Sequence, residues 1–170
     1  MPCDTEEVFR LAGQPDAARR VFAYLLDGLN EDVGKGLTTA SVYDLPQMRS
    51  RRVFSENIEA YEPGGFKPLE KNRYFDTVIA GNRHFSTTSI EEIAEVFFDW
   101  EKIRDLGFES NMNLPAVADG RVIGTVNMLG PKGHFTPEAV ARALAWQPAV
   151  TMAFLLLHLE DIETATFHPT

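Results

Sequence analysis

The stretch Leu114–Val140, LPAVADGRVIGTVNMLGPKGHFTPEAV, decides the fold. Asp119-Gly120 stands between two apolar runs and predicts a two-residue β-hairpin, because a type I′ turn requires positive φ at both central positions. Counting outward from the turn places Pro115 opposite Gly124, so that the proline ring meets a residue without a side chain. Neither face of the hairpin is uniformly polar. We therefore expect it to be covered on both sides, in the centre of a sheet.

The same counting assigns each hairpin side chain to a face. One face is predicted to hold Met112, Leu114, Ala116, Ile123, Thr125 and Asn127. A buried Asn127 must find hydrogen-bond partners. The sequence leaves two alternatives open, a structural bond to the backbone and a contact with a ligand.

The end of the stretch opens the last helix. Thr136 is placed to cap it and Pro137 fills its first position. The helical pattern continues to about Glu160, and Pro148 inside it predicts a kink or a local break. Apolar residues surround much of this helix, more than one sheet can cover, which suggests a dimer interface. The final residues, HPT, are expected to fray.

Upstream patterns predict the remaining elements. They are a short helix ending at Gly13, an amphipathic helix Pro15–Asn30, strands Leu37–Leu45 and Arg51–Tyr61, a helix ending at Gly81, a polar connector Asn82–Ser89, and a helix from the capping box Ser89–Glu92 to Leu106, stopped by Gly107. The chain of 170 residues, 44% of them hydrophobic, suits one domain. We predict an α+β domain on an antiparallel sheet, with an N-terminal extension 1–13, the domain at 14–160 and a tail 161–170.

Charge and cysteine content exclude several classes of protein. The net charge of −9 disfavours nucleic acid and membrane surfaces as partners. The densest basic stretch, Met48–Arg52, is interpreted as a solvated strand edge. Cys3 is the one cysteine, so no disulfide framework is possible. The acidic start carries no signal peptide pattern, and we expect a cytoplasmic protein.

The sequence contains no recognisable catalytic or metal-binding constellation. The histidines are scattered at His84, His134, His158 and His168. An acidic row at helical spacing could serve acid–base chemistry but suits a solvated helix face better; it consists of Glu91, Glu95 and Asp99. We therefore predict no metal and no cofactor beyond an unknown small organic ligand.

Aromatic residues with nearby polar side chains are typical of a small-molecule pocket. Most of the aromatic residues must belong to the core, and the remainder are candidates for a pocket wall. The candidate ligand-binding residues are Tyr43, Tyr74, Phe85, Ser86, Thr87, Trp100, Phe108, Ser110, Met112, Thr125 and Asn127, with Asn111 as a further polar anchor.

Two stretches resemble the GAF domain family: NLPAVADGRVIGTVNMLGPKGHFTPEAV, and YFDTVIAGNRHFSTTS ahead of it. The resemblance covers roughly Pro15–Glu160. It implies an antiparallel sheet of about six strands, with the first and last helices on one face and a ligand pocket under middle helices and loops on the other. Family members bind cyclic nucleotides, tetrapyrroles, haem, amino acids or organic acids, and some bind no known ligand. Many dimerise through the first and last helices.

Departures from particular subfamilies narrow the expected function. The Asn-Lys-Phe-Asp-Glu signature of cyclic-nucleotide members is missing, and Cys3 lies outside the region where phytochrome-type members attach a chromophore. Free methionine-(R)-sulfoxide reductase is an enzyme of this family, with acidic hairpin residues where this chain has Asn111, Asn127 and Leu129. Its chemistry requires a placed thiolate, so we exclude that activity.

The leading hypothesis is a stand-alone, ligand-sensing domain that is dimeric and not an enzyme. A ligand would order the connector 82–89, and a separate output protein would receive the signal. A second hypothesis is a binding-inert dimerisation scaffold whose pocket is filled by Phe97, Trp100 and Phe108. A third is a small enzyme that uses Glu109 and His84.

Overall fold

The hairpin at Asp119-Gly120 is confirmed in the computed structural model, which describes residues 2–169. Both turn residues have positive φ, 53° at Asp119 and 73° at Gly120. In chain order the elements are α1 Thr5–Ala12, α2 Ala17–Asp32, β1 Leu37–Asp44, a 3-10 turn Leu45–Gln47, β2 Arg49–Ser55, β3 Lys67–Pro68, a π-helical turn Phe75–Ala80, β4 Phe85–Thr87, α3 Ile90–Ala94, α4 Trp100–Asp105, β5 Ser110–Ala118, β6 Arg121–Gly130, α5 Pro137–Leu144 and α6 Gln147–Leu157.

The strands form a six-stranded antiparallel sheet in the order β3-β2-β1-β6-β5-β4. The hairpin β5–β6 lies inside this sheet, because β1 pairs with β6 and β4 pairs with β5. The predicted α+β class and the central position of the hairpin are both confirmed.

Different layers cover the two faces of the sheet. Helices α1, α2, α5 and α6 form one layer, and their apolar side chains share the main core with Met112, Leu114 and Val126. The π-helical turn and α3 lie over the other face, where a smaller apolar cluster surrounds Tyr43 and Phe85. The second face is therefore covered only in part, which leaves room for a cavity.

The predicted register of the hairpin is wrong beyond its first two pairs. Val117 pairs with Val122, but Ala116 pairs with Gly124, so Ile123 is an extra residue that bulges out of the ladder. A one-residue shift moves every later side chain of that strand to the opposite face. Asn127 consequently lies opposite Asn113 and not on the face of Met112.

The last helix begins and breaks as predicted. The Ala139 amide donates to the Thr136 hydroxyl at 3.2 Å, and Pro137 takes the first helical position. Pro148 lies in the first turn of α6, and α5 and α6 meet at a bend of 46°. Among residues 2–169 no single helix is long and apolar enough to span a membrane, and α5 and α6 meet that criterion only as a bent pair.

The helix predicted over 89–106 is two short helices. Its start is correct, since the Glu92 amide donates to the Ser89 hydroxyl at 3.3 Å. The helix then ends at Ala94, and the amides of Val96 and Phe97 both donate to the Ile93 carbonyl. This turn directs Phe97 into the smaller apolar cluster. Tertiary packing overrides the local helical periodicity here.

Three further predictions are wrong, and they concern the connector 82–89, the end of β2 and the C-terminal HPT. The connector 82–89 contains the edge strand β4, which pairs with β5. Strand β2 ends at Ser55, well before Tyr61, because Asn57 starts a turn in which its carbonyl accepts from the Tyr61 amide at 2.9 Å. His168 of the HPT end is held, since its Nε2 accepts from the Ser55 amide at 3.2 Å. Thr170 lies outside the described residues.

Candidate functional site

A cavity of about 350 Å³ lies between the open face of the sheet and the segment that joins α3 to α4. Strands β1, β2, β5 and β6 supply its floor, and aromatic residues supply most of its roof. Its lining residues are Leu37, Thr39, Ser41, Tyr43, Ser50, Arg52, Tyr61, Tyr74, Phe97, Phe98, Asp99, Ile103, Asn111, Asn113, Asn127, Met128 and Leu129.

A row of side-chain amides crosses the cavity floor from strand to strand. Asn111 Nδ2 donates to Asn113 Oδ1 at 2.8 Å, and Asn113 Nδ2 donates to Asn127 Oδ1 at 2.8 Å. Asn127 Nδ2 then donates to the Thr39 hydroxyl at 3.3 Å, and the Thr87 hydroxyl donates to Asn111 Oδ1 at 2.6 Å. Each side chain from Thr87 onward donates to the next one in the row, so the row ends at the Thr39 hydroxyl, which accepts. The Thr39 hydroxyl hydrogen thus remains able to donate into the cavity.

Arg52 extends from β2 into the same cavity. Its Nε is buried and has no hydrogen-bond partner among residues 2–169, while one terminal nitrogen donates to the Glu62 carbonyl at 3.3 Å. The guanidinium lies 5.0 Å from the centre of the Tyr61 ring. Burial lowers the pKa of Arg52, and the nearby Tyr61 and Asp99 act in the opposite direction. A buried guanidinium with an unused N–H is poised to receive an acceptor.

Two tyrosines close one side of the cavity. The hydroxyls of Tyr43 and Tyr74 lie 3.1 Å apart. Burial raises the pKa of both phenols, well above the usual value for Tyr74. Both therefore remain protonated near neutral pH and present hydroxyl groups, not phenolates.

The break between α3 and α4 creates the mouth of the cavity. Phe97 and Asp99 from this segment line the cavity, and Phe98 beside them is 92% exposed. Tyr61 lies across from them, and burial together with the Asp99 charge raises the pKa of Tyr61 to about 12. The sequence predicts Asp99 on the solvated face of a continuous helix, and this prediction is wrong because the helix is interrupted before it.

The structure brings only some of the predicted site residues together. Tyr43, Tyr74 and Asn127 line the cavity, and so does the further anchor Asn111. Thr87 supports the amide row from the edge strand, and Thr125 is buried beside the tyrosine pair. Their contact with a ligand stays a prediction.

The other predicted residues do not line this cavity. Met112 belongs to the core under the helices, as the corrected register requires. Ser110 donates to the Pro131 carbonyl at 2.6 Å, and Phe85 packs against Phe97 with ring centres 6.1 Å apart. Three further predicted residues are also absent from the cavity lining: Ser86, Trp100 and Phe108.

Arg52, Asn113 and Asp99 were not recognised from the sequence as site residues. The basic stretch Met48–Arg52 is predicted to be a solvated strand edge, yet Arg51 is buried and Arg52 lines the cavity. Alternation along a strand sends these two arginines to opposite faces. The sequence offers one signal for Arg52, which is an arginine within a strand, directly before the β-branched Val53.

The described residues contain no group of three or more metal-binding side chains. Neither His84 nor Glu109 lines the cavity. The polar groups of the cavity are amides, hydroxyls, one guanidinium and one carboxylate, which suit binding and orientation of a ligand.

Comparisons of sequence do not assign the chain to a family. No family model matches the chain. Two curated relatives, the CTP synthases of Tropheryma whipplei strains Twist and TW08/27, are each 28% identical over 123 residues, a match that covers 69% of this chain and 20% of each relative. This chain therefore corresponds to a minor part of those enzymes.

Solved structures resemble the chain over most of its length. The GAF domain of a two-component sensor histidine kinase from Bacillus halodurans has a TM-score of 0.67 at 10% identity, covering 82% of this chain and 95% of that one. The GAF domain/HD domain protein from Geobacter sulfurreducens has a TM-score of 0.62 at 14% identity, with coverages of 89% and 96%.

The GAF domain of a phosphoenolpyruvate-protein phosphotransferase from Coxiella burnetii has a TM-score of 0.61 at 12% identity, with coverages of 87% and 89%. Identities this low establish the fold alone. The sheet order, the helical layer on one face and the cavity on the other, together with these likenesses, show that the chain has the GAF fold.

Proposed function

We propose that this protein is a regulatory domain that binds a small organic ligand in the cavity and signals as a homodimer. The observation that carries the proposal is the set of polar groups that converge on one cavity: the amide row, the Thr39 hydroxyl and the unpartnered Nε of Arg52. An unsatisfied buried donor costs about 1–3 kcal/mol. A ligand that supplies its acceptor would recover that cost.

The size of the cavity limits the ligand. A volume of about 350 Å³ is the volume that about twelve molecules occupy in liquid water, at about 30 Å³ each. This space suits a molecule with about that many non-hydrogen atoms.

The cavity favours ligand binding over a binding-inert scaffold. The scaffold hypothesis requires a pocket filled by Phe97, Trp100 and Phe108. Phe97 only lines the roof, and neither Trp100 nor Phe108 borders the cavity. The third hypothesis, an enzyme using His84 and Glu109, has no support from the position of either residue.

The segment 95–99 is proposed as the part that responds to ligand. The connector 82–89 is already ordered by pairing of β4 with β5. In contrast, 95–99 carries Phe98, which is 92% exposed beside the cavity. A ligand that contacts this segment in only one of its arrangements shifts the population toward that arrangement. Amide hydrogen exchange should show increased protection at 95–99 on ligand addition, with little change in α2.

The dimer is proposed to form through the helical layer. Phe9 of α1 is 67% exposed and Leu159 after α6 is 82% exposed, and both are apolar. Sedimentation velocity of Leu159→Glu should show a weaker dimer. Ile58→Glu is the matched control, because Ile58 is 61% exposed but follows β2 and belongs to none of these helices. A monomeric wild type at high concentration would remove the dimer from the proposal.

Ligand binding is tested by a thermal-shift screen of amino acids, organic acids and nucleotides, with native mass spectrometry of the purified protein. Thr39→Val removes a cavity hydroxyl without changing side-chain size, and it should weaken binding of the hit several-fold. Thr151→Val is the matched control on α6, outside the cavity. The absence of any binder and of any co-purified mass would contradict the proposal.

A further inference from the structure

We infer that the ligand is a small zwitterion, whose carboxylate is held by Arg52 and whose ammonium group is held by Asp99. This inference rests on the proposed function and specifies its ligand class. It follows from two opposite charges that line the same cavity without pairing with each other.

Arg52 forms the carboxylate end of the site. Its Nε–H has no partner within residues 2–169, and the hydrogen bond from Nη1 to the Glu62 carbonyl is long, at 3.3 Å. A guanidinium matches a carboxylate with two parallel hydrogen bonds. Ser41 lies directly beside Arg52 in the ladder and Thr39 lies two residues along β1. The Thr39 hydroxyl, already an acceptor from Asn127, adds a second donor for the carboxylate.

Asp99 forms the ammonium end. Its carboxylate lines the cavity and makes no ion pair or side-chain hydrogen bond within the described part of the chain. Phe97 and Phe98 directly precede Asp99 in the chain and line the same cavity. Aromatic faces attract ammonium groups, most strongly where water is excluded. An ammonium group placed here meets one formal negative charge and the rings of Phe97 and Phe98.

The balance of charges disfavours simple anions and cations. Arg52 and Asp99 are the charged residues among those that line the cavity. A phosphate dianion on Arg52 would face Asp99, and a metal cation on Asp99 would face Arg52. Lys102 nearby is engaged, because its Nζ donates to the Ala60 carbonyl and lies 4.2 Å from the Tyr61 ring centre. A ligand with one charge of each sign satisfies both groups.

The rest of the ligand is expected to be small, polar and uncharged. The amide row lines the same cavity, and in it Asn113 and Asn127 each keep a second N–H that the row does not use. Amide, hydroxyl or carbonyl substituents complement these groups, whereas a long apolar chain would leave them unsatisfied.

The test uses the whole chain and isothermal titration calorimetry. The twenty common amino acids are screened as probes, and each hit is compared with its deamino analogue, which keeps the carboxylate, and its decarboxy analogue, which keeps the ammonium group. Each analogue should bind at least about tenfold more weakly than the parent, since each loses one charge-assisted contact.

Paired variants assign each charge to its residue. Arg52→Gln should weaken the parent and the deamino analogue at least tenfold but leave the decarboxy analogue within twofold. Asp99→Asn should show the reverse pattern. Arg121→Gln and Asp119→Asn are the matched controls, because this exposed pair lies at the hairpin turn, 3.9 Å apart and away from the cavity.

The possible failures are distinguishable. If a carboxylate without an ammonium group binds as tightly as the parent, or if Asp99→Asn has no effect on the parent, the zwitterion assignment is overturned while the ligand-binding function stands. If nucleotides or sugars bind and no amino acid does, the assignment is again overturned. If no class of compound binds, the proposed function itself fails. Circular dichroism of Arg52→Gln and Asp99→Asn separates lost contacts from unfolding.

Discussion

Replacing Gly124 by alanine should destabilise the protein, because the Phe154 ring lies directly over this glycine. A Cβ at position 124 would stand 2.2 Å from Phe154 Cδ1 and 2.3 Å from Cε1. Favourable carbon–carbon contact begins near 3.5 Å, so the ring would have to move by about 1.3 Å. Gly124 lies in the middle of β6, paired with Ala116 on one side and Val42 on the other, so the strand has little freedom to move instead.

The ring has little space to move. Phe154 is fully buried and contacts Phe167 edge to face, with ring centres 5.1 Å apart. Phe167 in turn stacks on Phe22 at 4.2 Å. Overpacking of this kind costs about 1–3 kcal/mol, and alanine recovers about 0.5–1 kcal/mol of backbone entropy. Contacts as short as 2.2 Å place the cost at the upper end of that range, so we expect a net loss near 2 kcal/mol, equivalent to about 4–8 °C in Tm for a chain of this size.

Urea unfolding followed by circular dichroism measures this loss. Gly65→Ala is the matched control, because an added Cβ there meets nothing within 4 Å, and it should be neutral or slightly stabilising. The double variant Gly124→Ala/Phe154→Leu should lose at least about 1 kcal/mol less than the sum of its single variants. Surface substitutions usually change the free energy of unfolding by less than about 0.5 kcal/mol. A change no larger than this in Gly124→Ala would refute the reasoning.

Three other substitutions test separate parts of the structure. Asn113→Leu should cost about 1–3 kcal/mol in urea unfolding, because the buried Asn111 amide loses its acceptor; no loss would mean that water or a rearranged amide replaces the bond. Phe167→Ala should lower the free energy of unfolding by about 3–5 kcal/mol, since the ring is buried against Phe22. No change would mean that the C-terminal segment does not pack on the domain. The pKa of Tyr61 is raised to about 12, so the stability that its protonated form contributes is complete below pH 10 and is lost as the pH rises toward 12. In urea unfolding, the free energy of unfolding of Tyr61→Phe should therefore decline less above pH 10 than that of the wild type. Parallel declines of the two proteins would contradict this.

Local signals predicted the elements that local chemistry controls. The Asp119-Gly120 turn, the Thr136 cap and the break near Pro148 all depend on the backbone preferences of a few neighbouring residues. The capping box at Ser89 belongs to the same class, and it correctly marks a helix start. None of these features requires knowledge of what packs against them.

The candidate site was predicted less well, because its residues meet only in the folded chain. Tyr43, Tyr74, Asn111 and Asn127 are predicted from their residue types, and all four line the cavity. Arg52 was overlooked, since the direction of its side chain depends on which face of β2 is left open by the helices. Asp99 was misplaced, because the break that exposes it is caused by packing of Phe97 against Tyr74 and Phe85.

The sequence by itself determined the class of fold, the central hairpin and the ends of several helices, since turn residues, caps and apolar periodicity act over a few positions. Only the tertiary structure decided the register beyond Ala116, where the bulge at Ile123 turns Gly124 toward Phe154 and Asn127 toward the cavity. A bulge adds one unpaired residue, which no local pattern marks, and its position depends on what must fit on each face of the sheet. Packing between distant elements therefore determined which side chains reach the site.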